Sequence, residues 1–364
     1  MILIVLLSSC EKREISDEIL AEKIDGLISS EWVDVSGVSV DIYGKDEKLG
    51  SFSGYADDER RVKLTENQPF RIASITKTFV AAAVLVLHER GDLSIYHSIS
   101  TYISKEHIQL LVAEGYEVDK ITLLHCLQHT SGIFDYAFGH GKFGRSPYLE
   151  IASKDPSRIW SRTDQIQGAM EWGHPYGKPN EAFQYSDTGY ILLGEIIENI
   201  TNLNLGQAIR ELIDYDKLGL KNTWYEVFEN QRDDELVGRY FRRKDFTPYH
   251  ASIDLYGGGG IVSTTQDLAI FYFHLFQGNI FQKEETRSLL FSQPKFTSNH
   301  SPIKDYRLGF EVLKIYGEEG YFHDGIWNTQ VIYLPKKEMA IAINFTYGNS
   351  DYLIKHIIKL ILGN

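Results

Sequence analysis

Strand periodicity occurs towards both ends of this chain and helical periodicity between them, and no other feature constrains its fold as much. Val38, Val40 and Ile42 alternate with polar residues, and Gly44-Lys45-Asp46 then turns the chain toward a second extended stretch ending near Gly54. That pattern reads as a hairpin. Strand signals return at 309–315, 320–323, 329–334 and 339–346. A helix opens the fold, with Ile15, Ile19, Leu20, Ile24, Leu27 and Ile28 at helical spacing, and another closes it with Leu353, Ile354, Ile357, Ile358 and Ile361. Between them, Phe79–Leu87 is apolar almost all round, the mark of a buried helix, and 121–128, 188–200 and 207–213 are also helical in pattern. The economical architecture is an α/β fold. One antiparallel sheet, built from 11–73 and 251–364, is flanked by the N- and C-terminal helices, and a mostly helical region, 74–250, is inserted between its halves.

Composition narrows the function classes. The 364 residues are 43% apolar and 13% aromatic, enough for a sizeable core. Fifty acidic against 37 basic side chains give a net charge of −13, which argues against a nucleic-acid partner. The same balance gives no positive reason to expect an anionic substrate. Two cysteines cannot form a disulfide framework, and no apolar run approaches the length of a membrane span.

The N-terminus carries its own signal. The apolar run of residues 2–7 is followed by Ser8, Ser9 and Cys10, then by charged Glu11-Lys12-Arg13-Glu14. This reads as a secretory leader over residues 1–10, and Leu7-Ser8-Ser9-Cys10 resembles the bacterial lipobox. The resemblance implies lipidation of Cys10 and a protein held at the bacterial cell envelope by acyl chains that do not span the membrane.

Candidate chemistry begins at Ser74-Ile75-Thr76-Lys77. Residues three apart share a helix face, so the Lys77 amine can reach the Ser74 hydroxyl and activate it. Ser-x-x-Lys occurs four times, at Ser9/Lys12, Ser74/Lys77, Ser292/Lys295 and Ser301/Lys304. The last two enclose Pro294 and Pro302, which favours loops. Only Ser74 lies where an extended Phe70-Arg71-Ile72-Ala73 meets the buried helix. Its structural alternative is a helix-capping serine beside a solvated lysine.

Two further triplets, each occurring once, are Tyr185-Ser186-Asp187 and His323-Asp324-Gly325. In this order the three motifs resemble the penicillin-recognising serine hydrolases, the fold family of class C β-lactamases, DD-peptidases, D-aminopeptidases and related esterases. Residues 123–133 and 259–268 also look like that family's, so the resemblance spans about residues 20 to 360. It implies a β-lactamase/transpeptidase-like fold with no cofactor. Ser74 would be the acylated nucleophile, Lys77 its proton acceptor or the holder of the network, and Tyr185 the phenol or phenolate relaying the proton. His323 would face the nucleophile from the last strand-rich segment. The backbone N–H groups of Ser74 and Ile326, just past Gly325, would form the oxyanion hole.

Two departures bear on substrate. Asp187 stands where the family usually has asparagine, and an ionised carboxylate only accepts hydrogen bonds. It should hold Lys77 protonated and repel a substrate carbonyl or carboxylate. His323 replaces the lysine common in β-lactamases, which weakens carboxylate recognition. The expected function is hydrolysis of a small ester, amide or peptide-like substrate. A true β-lactamase or D-Ala-D-Ala carboxypeptidase, and a catalytically silent binding protein of the same fold, are the alternatives. No metal is expected, because the spacing of His125 and His129 lacks the glutamate of a zinc protease. The aromatic loops Phe134–Tyr148 and Trp172–Phe183 either line the cleft or simply pack.

Overall fold

The computed structural model describes residues 16–29, 35–142, 144–229, 235–295, 305–348 and 351–362. Cys10 and the leader, with the Ser9/Lys12 and Ser301/Lys304 pairs, lie outside the described residues. In chain order the strands begin with β1 (Gly37–Gly44), β2 (Lys48–Gly54), β3 (Phe70–Arg71), β4 (His140–Gly141), β5 (Gly144–Arg145) and β6 (Trp224–Tyr225). They continue as β7 (Tyr240–Phe241), β8 (Lys244–Asp245), β9 (Ile261–Ser263), β10 (Glu311–Ile315), β11 (Glu318–Gly325), β12 (Thr329–Leu334) and β13 (Met339–Phe345).

The six longest strands form one antiparallel sheet of order β10-β11-β12-β13-β1-β2. The two ends of the sequence meet at its centre, where Val38 pairs with Phe345 and Ile42 with Ile341. Alternation then sorts the side chains between two faces. Val38, Val40, Ile42, Ile341, Ile343 and Phe345 form one core with Leu20 and Ile24 of the helix Asp17–Ile28 and with Ile357 and Ile358 of the helix Asp351–Leu362. On the other face, small Ala340 and Ala342 allow the helix Thr265–Phe276 to lie close across the sheet. The antiparallel sheet covered by the terminal helices is the one read from the sequence, with both terminal helices on the same face.

A second sheet of order β3-β9-β6 is a structural addition, as are the two-stranded hairpins β4–β5 and β7–β8. With two or three residues per strand, their residues are too few to display a period. The helix Thr76–Arg90 is buried from Thr76 through Leu87, with Phe79 stacked 3.6 Å from Phe271. Gly91 ends it in the left-handed conformation at φ 83.

These elements place a single turn at the centre. β3 pairs with β9, and the Ile72 N–H donates to the Ile261 carbonyl at 3.0 Å. The chain then makes a short 3-10 turn, Ala73–Ile75, into the buried helix. The end of β11 presses on this turn from the large sheet. A Cβ at Gly325 would lie 2.3 Å from the Ile72 carbonyl oxygen and 2.5 Å from Thr329 Oγ1. We therefore expect Gly325→Ala to cost about 1–3 kcal/mol in urea unfolding through overpacking. Gly91→Ala, which meets nothing within 4 Å, is expected to cost only about 1 kcal/mol from its backbone conformation. Equal losses at the two sites would contradict the close approach of β11.

Candidate active site

Ser74 sits in the 3-10 turn and does not cap the helix that follows; the residue at the cap position is Ile75, which makes no side-chain capping bond. Ala73, just before it, has φ 47, a conformation that costs a non-glycine residue about 1–2 kcal/mol. The strained turn leaves Ser74 partly exposed at the floor of a cleft of about 670 Å³. Tyr185, Asp187, Asp324, Gly325 and Ile326 also line this cleft.

Lys77, the second residue of the helix Thr76–Arg90, is completely buried. Its Nζ donates to Ser74 Oγ at 2.9 Å and to the Gly258 carbonyl at 2.6 Å. Asp187 Oδ1 is 2.5 Å from the same nitrogen. That contact is ionic, since no donor is aligned on Oδ1 as a directional hydrogen bond. The glycine run Gly257–Gly260 makes the approach possible, with Gly257 at φ 121 and Gly260 at φ 115.

Asp187 opens the helix Asp187–Thr201, where a carboxylate suits the positive end of the helix dipole. Its N–H donates to Asp135 Oδ1 at 3.2 Å. Asp135 also accepts from the N–H groups of Ala137 and Phe138. Burial, followed by the charge of Asp187, raises its carboxyl well above the ordinary range. A third carboxyl, Asp254, is pushed up to about 6 by burial, opposed mainly by nearby Lys77, and accepts from Trp327 Nε1 at 3.0 Å. Neither Asp135 nor Asp254 was a candidate from sequence, where an isolated aspartate reads as a surface residue.

Tyr185 projects toward Ser74 from the other side. Its ring lies 5.1 Å from Lys77 Nζ and stacks at 4.1 Å on His129. Tyr185 is half-buried and lines the cleft, and burial pushes its phenol well above its ordinary value. The Asp187 charge pushes the same way, and the hydrogen bond with the Ser74 hydroxyl lowers it. The expected activation of a phenolate by Lys77 is therefore offset by the carboxylate that pairs with Lys77. The resting group is a neutral phenol.

His323 does not line the cleft. Alternation along β11 turns it inward, fully buried, while Asp324 is exposed beside the site. Its Nδ1 is 2.8 Å from the Asp324 carbonyl, which makes Nδ1–H the donor, and Nε2 accepts from the Tyr306 hydroxyl at 3.0 Å. Burial, with Lys77 nearby, lowers its pKa to about 3. It is a neutral imidazole locked behind the site, and it presents no cation to a substrate.

The other sequence candidates resolve simply. His125 closes a capping box with Thr122, and His129 Nδ1 accepts the Ser186 N–H at 3.1 Å. Cys126 is buried beside Gly189, its thiol pushed up to about 12 by burial. Ser292 and Lys295 lie in a loop after the helix Glu284–Leu290, apart from the cleft. Of the aromatic loops, Phe134, Tyr176 and Phe183 pack internally, and Phe138 reaches the cleft. The cleft also receives Phe241, Arg242 and Arg243 from the β7–β8 hairpin, which sequence reading missed. A second cleft of about 720 Å³ is lined by Asp17, Asp41, Glu66 and Lys48.

Comparison with known proteins adds three findings. The family profile described as Beta-lactamase matches residues 24–358. Penicillin-binding protein 4* of Bacillus subtilis (strain 168) is 27% identical over 322 residues, covering 82% of this chain and 65% of that protein. The chain thus spans less than two thirds of that relative's length. The D-amino acid amidase from Ochrobactrum anthropi SV3, complexed with L-phenylalanine amide, superposes with a TM-score of 0.77 at 21% identity. Coverage is 94% of this chain and 96% of that one. A D-stereospecific amidohydrolase from Streptomyces sp. gives a TM-score of 0.76 at 21% identity, covering 95% and 98%. At such identities these two likenesses carry the fold.

The burial of His323 has a measurable sign. Its folded pKa of about 3 lies below the unfolded value near 6.5, so the unfolded chain binds the extra proton between them. The stability tied to the neutral ring is whole above pH 6.5 and is lost as pH falls toward 3, by at most about 1.4 kcal/mol per pH unit. Imidazole carbon shifts measured by NMR should keep their neutral-form values down to pH 5, and titration near 6.5 would contradict the buried placement.

Proposed function

The chain belongs to the Beta-lactamase family, and from that premise we propose that it is a serine hydrolase cleaving a small ester or amide through an acyl-enzyme on Ser74. The observation that carries this reading is the buried Lys77 amine, held at 2.9 Å from Ser74 Oγ with Asp187 and the Gly258 carbonyl as its other partners. A surface serine–lysine pair has no need of such an arrangement.

In the proposed reaction Ser74 Oγ attacks the substrate carbonyl. The developing oxyanion is received by the backbone N–H groups of Ser74 and Ile326, donors fixed before the reaction begins. Because Tyr185 rests as a phenol, it acts as a relay: it takes the Ser74 proton while giving its own to the leaving oxygen or nitrogen. The Lys77 ammonium, 5.1 Å from the ring, stabilises the phenolate character that builds up in passing. Deacylation runs the same relay in reverse, with water supplying the proton that Tyr185 passes to Ser74. Neutral His323 takes no part in proton transfer and holds its neighbours in place through Tyr306.

Asp187 weighs against a dedicated β-lactamase, because its carboxylate faces the cleft where an amide would donate to a substrate carbonyl. The penicillin-binding relative keeps the second reading, acylation by a β-lactam, worth separating. Labelling of Ser74 by a fluorescent penicillin is expected under that reading and not under the first.

The kinetic test uses p-nitrophenyl valerate. Ser74→Ala should lower kcat/KM by at least about 10³, as expected for a lost nucleophile. Tyr185→Phe should lower it by roughly 10²–10⁴, the range for general acid–base groups. Unchanged turnover in Ser74→Ala would defeat the proposal.

A further inference from the structure

The β7–β8 hairpin closes with a two-residue turn, Arg242-Arg243, and both residues have positive φ, 50 and 64. Such a turn favours Asn-Gly, because an L side chain at positive φ is strained. Arginine at both positions is a local backbone cost, and both side chains are exposed. Strain of this kind at the edge of a reactive cleft points to function. Both residues line the cleft that holds Ser74.

The hairpin is also firmly based. Arg239, buried just before β7, donates to the carbonyls of Phe246 and Tyr249, and its own N–H reaches Thr247 Oγ1 at 3.0 Å. The Tyr240 hydroxyl donates to Asp58 Oδ1 at 2.9 Å. From that base an ordered row extends into the cleft. Phe138, 38% exposed, meets Phe241 edge-to-face at 5.8 Å, and the Arg242 guanidinium lies 5.2 Å over the Phe241 ring. An apolar shelf therefore ends beside a cation.

Charge in the cleft is arranged accordingly. The Asp187 carboxylate faces Lys77, and Asp324 stands on β11 next to Gly325. Carboxylates thus stand on the strand and helix sides of the cleft, and the Arg242 cation stands on the hairpin side. The cleft differs in this from a protein whose net charge is −13.

We propose that the β7–β8 hairpin is a specificity subsite for substrates in which an apolar segment next to the scissile ester or amide ends in a carboxylate. The segment lies on Phe138 and Phe241, and the carboxylate pairs with Arg242. This rests on the serine-hydrolase reading and names the substrate class of that same site.

Two pairs of matched esters test it, one varying the acyl group and one the leaving group: mono-p-nitrophenyl glutarate against p-nitrophenyl valerate, and 4-carboxyphenyl valerate against phenyl valerate. In at least one pair the carboxylated ester should have the higher kcat/KM by tenfold or more at low salt. Arg242→Asn, which suits positive φ and removes the guanidinium, should bring that ratio close to one. Arg242→Lys should retain part of it. Ratios near one in wild type, or a ratio unmoved by Arg242→Asn, would overturn the subsite. If no ester is turned over, the hydrolase reading fails by itself, and binding decides the subsite. Calorimetry on Ser74→Ala should then show glutaric monoanilide binding at least tenfold tighter than valeranilide, and equal affinities or no binding would overturn it.

Discussion

The rest of this structure depends on satisfying one buried ammonium. Lys77 is wholly removed from solvent, and an uncompensated charge in that position would cost the fold about 3–5 kcal/mol. Its partners come from separate parts of the chain: Ser74 from its own turn, Asp187 from the start of a helix more than a hundred residues later, and Gly258 from a glycine loop. Each partner imposes a local requirement. The turn strains Ala73, and the loop needs glycine to bring its carbonyl within 2.6 Å. Asp187 needs Asp135 to accept its own N–H and to share a crowded, desolvated space. The small sheet β3-β9-β6, modest in length, matters because it delivers both the nucleophile turn and the glycine loop to the same point.

Behind the ion pair lies a layer of neutral polar rings. His129 brackets Tyr185 by accepting the N–H of Ser186 and offering its own carbonyl to the N–H of Gln184, while its ring stacks on the phenol. Tyr306 continues the layer to His323. Burial keeps these groups uncharged: both histidines are depressed and both tyrosines raised. Within this buried layer the positive charge thus stays on Lys77, and Tyr185 is held as a phenol whose proton can be exchanged but not simply lost. The geometry of the phenol depends on packing as much as on hydrogen bonds.

The sequence made some of this legible and concealed the rest for physical reasons. Strands of five to eight residues with β-branched alternation, and a helix apolar on all sides, announce themselves because burial imposes their pattern. The ordered motifs at Ser74–Lys77, Tyr185–Asp187 and His323–Gly325 were visible because together they resemble a known family's, with Asp187 as a departure from its pattern. The facing of His323 was not visible: a strand has period two, and Glu-Glu-Gly-Tyr-Phe-His-Asp-Gly shows no alternation from which to set its phase. Asp135 and Asp254 were hidden because only tertiary packing buries them. The hairpin arginines were hidden because two-residue strands carry no period, and because a net charge of −13 describes the whole surface and not one cleft.

The central claim is that the Lys77 pair makes Ser74 a nucleophile. Its most direct test is reaction with a fluorophosphonate followed by intact-mass and peptide-mapping mass spectrometry. The account predicts a single adduct, located on the peptide bearing Ser74, formed in wild type and strongly slowed when Lys77 is replaced by methionine. No adduct, an adduct on another serine, or undiminished labelling without Lys77 would contradict it.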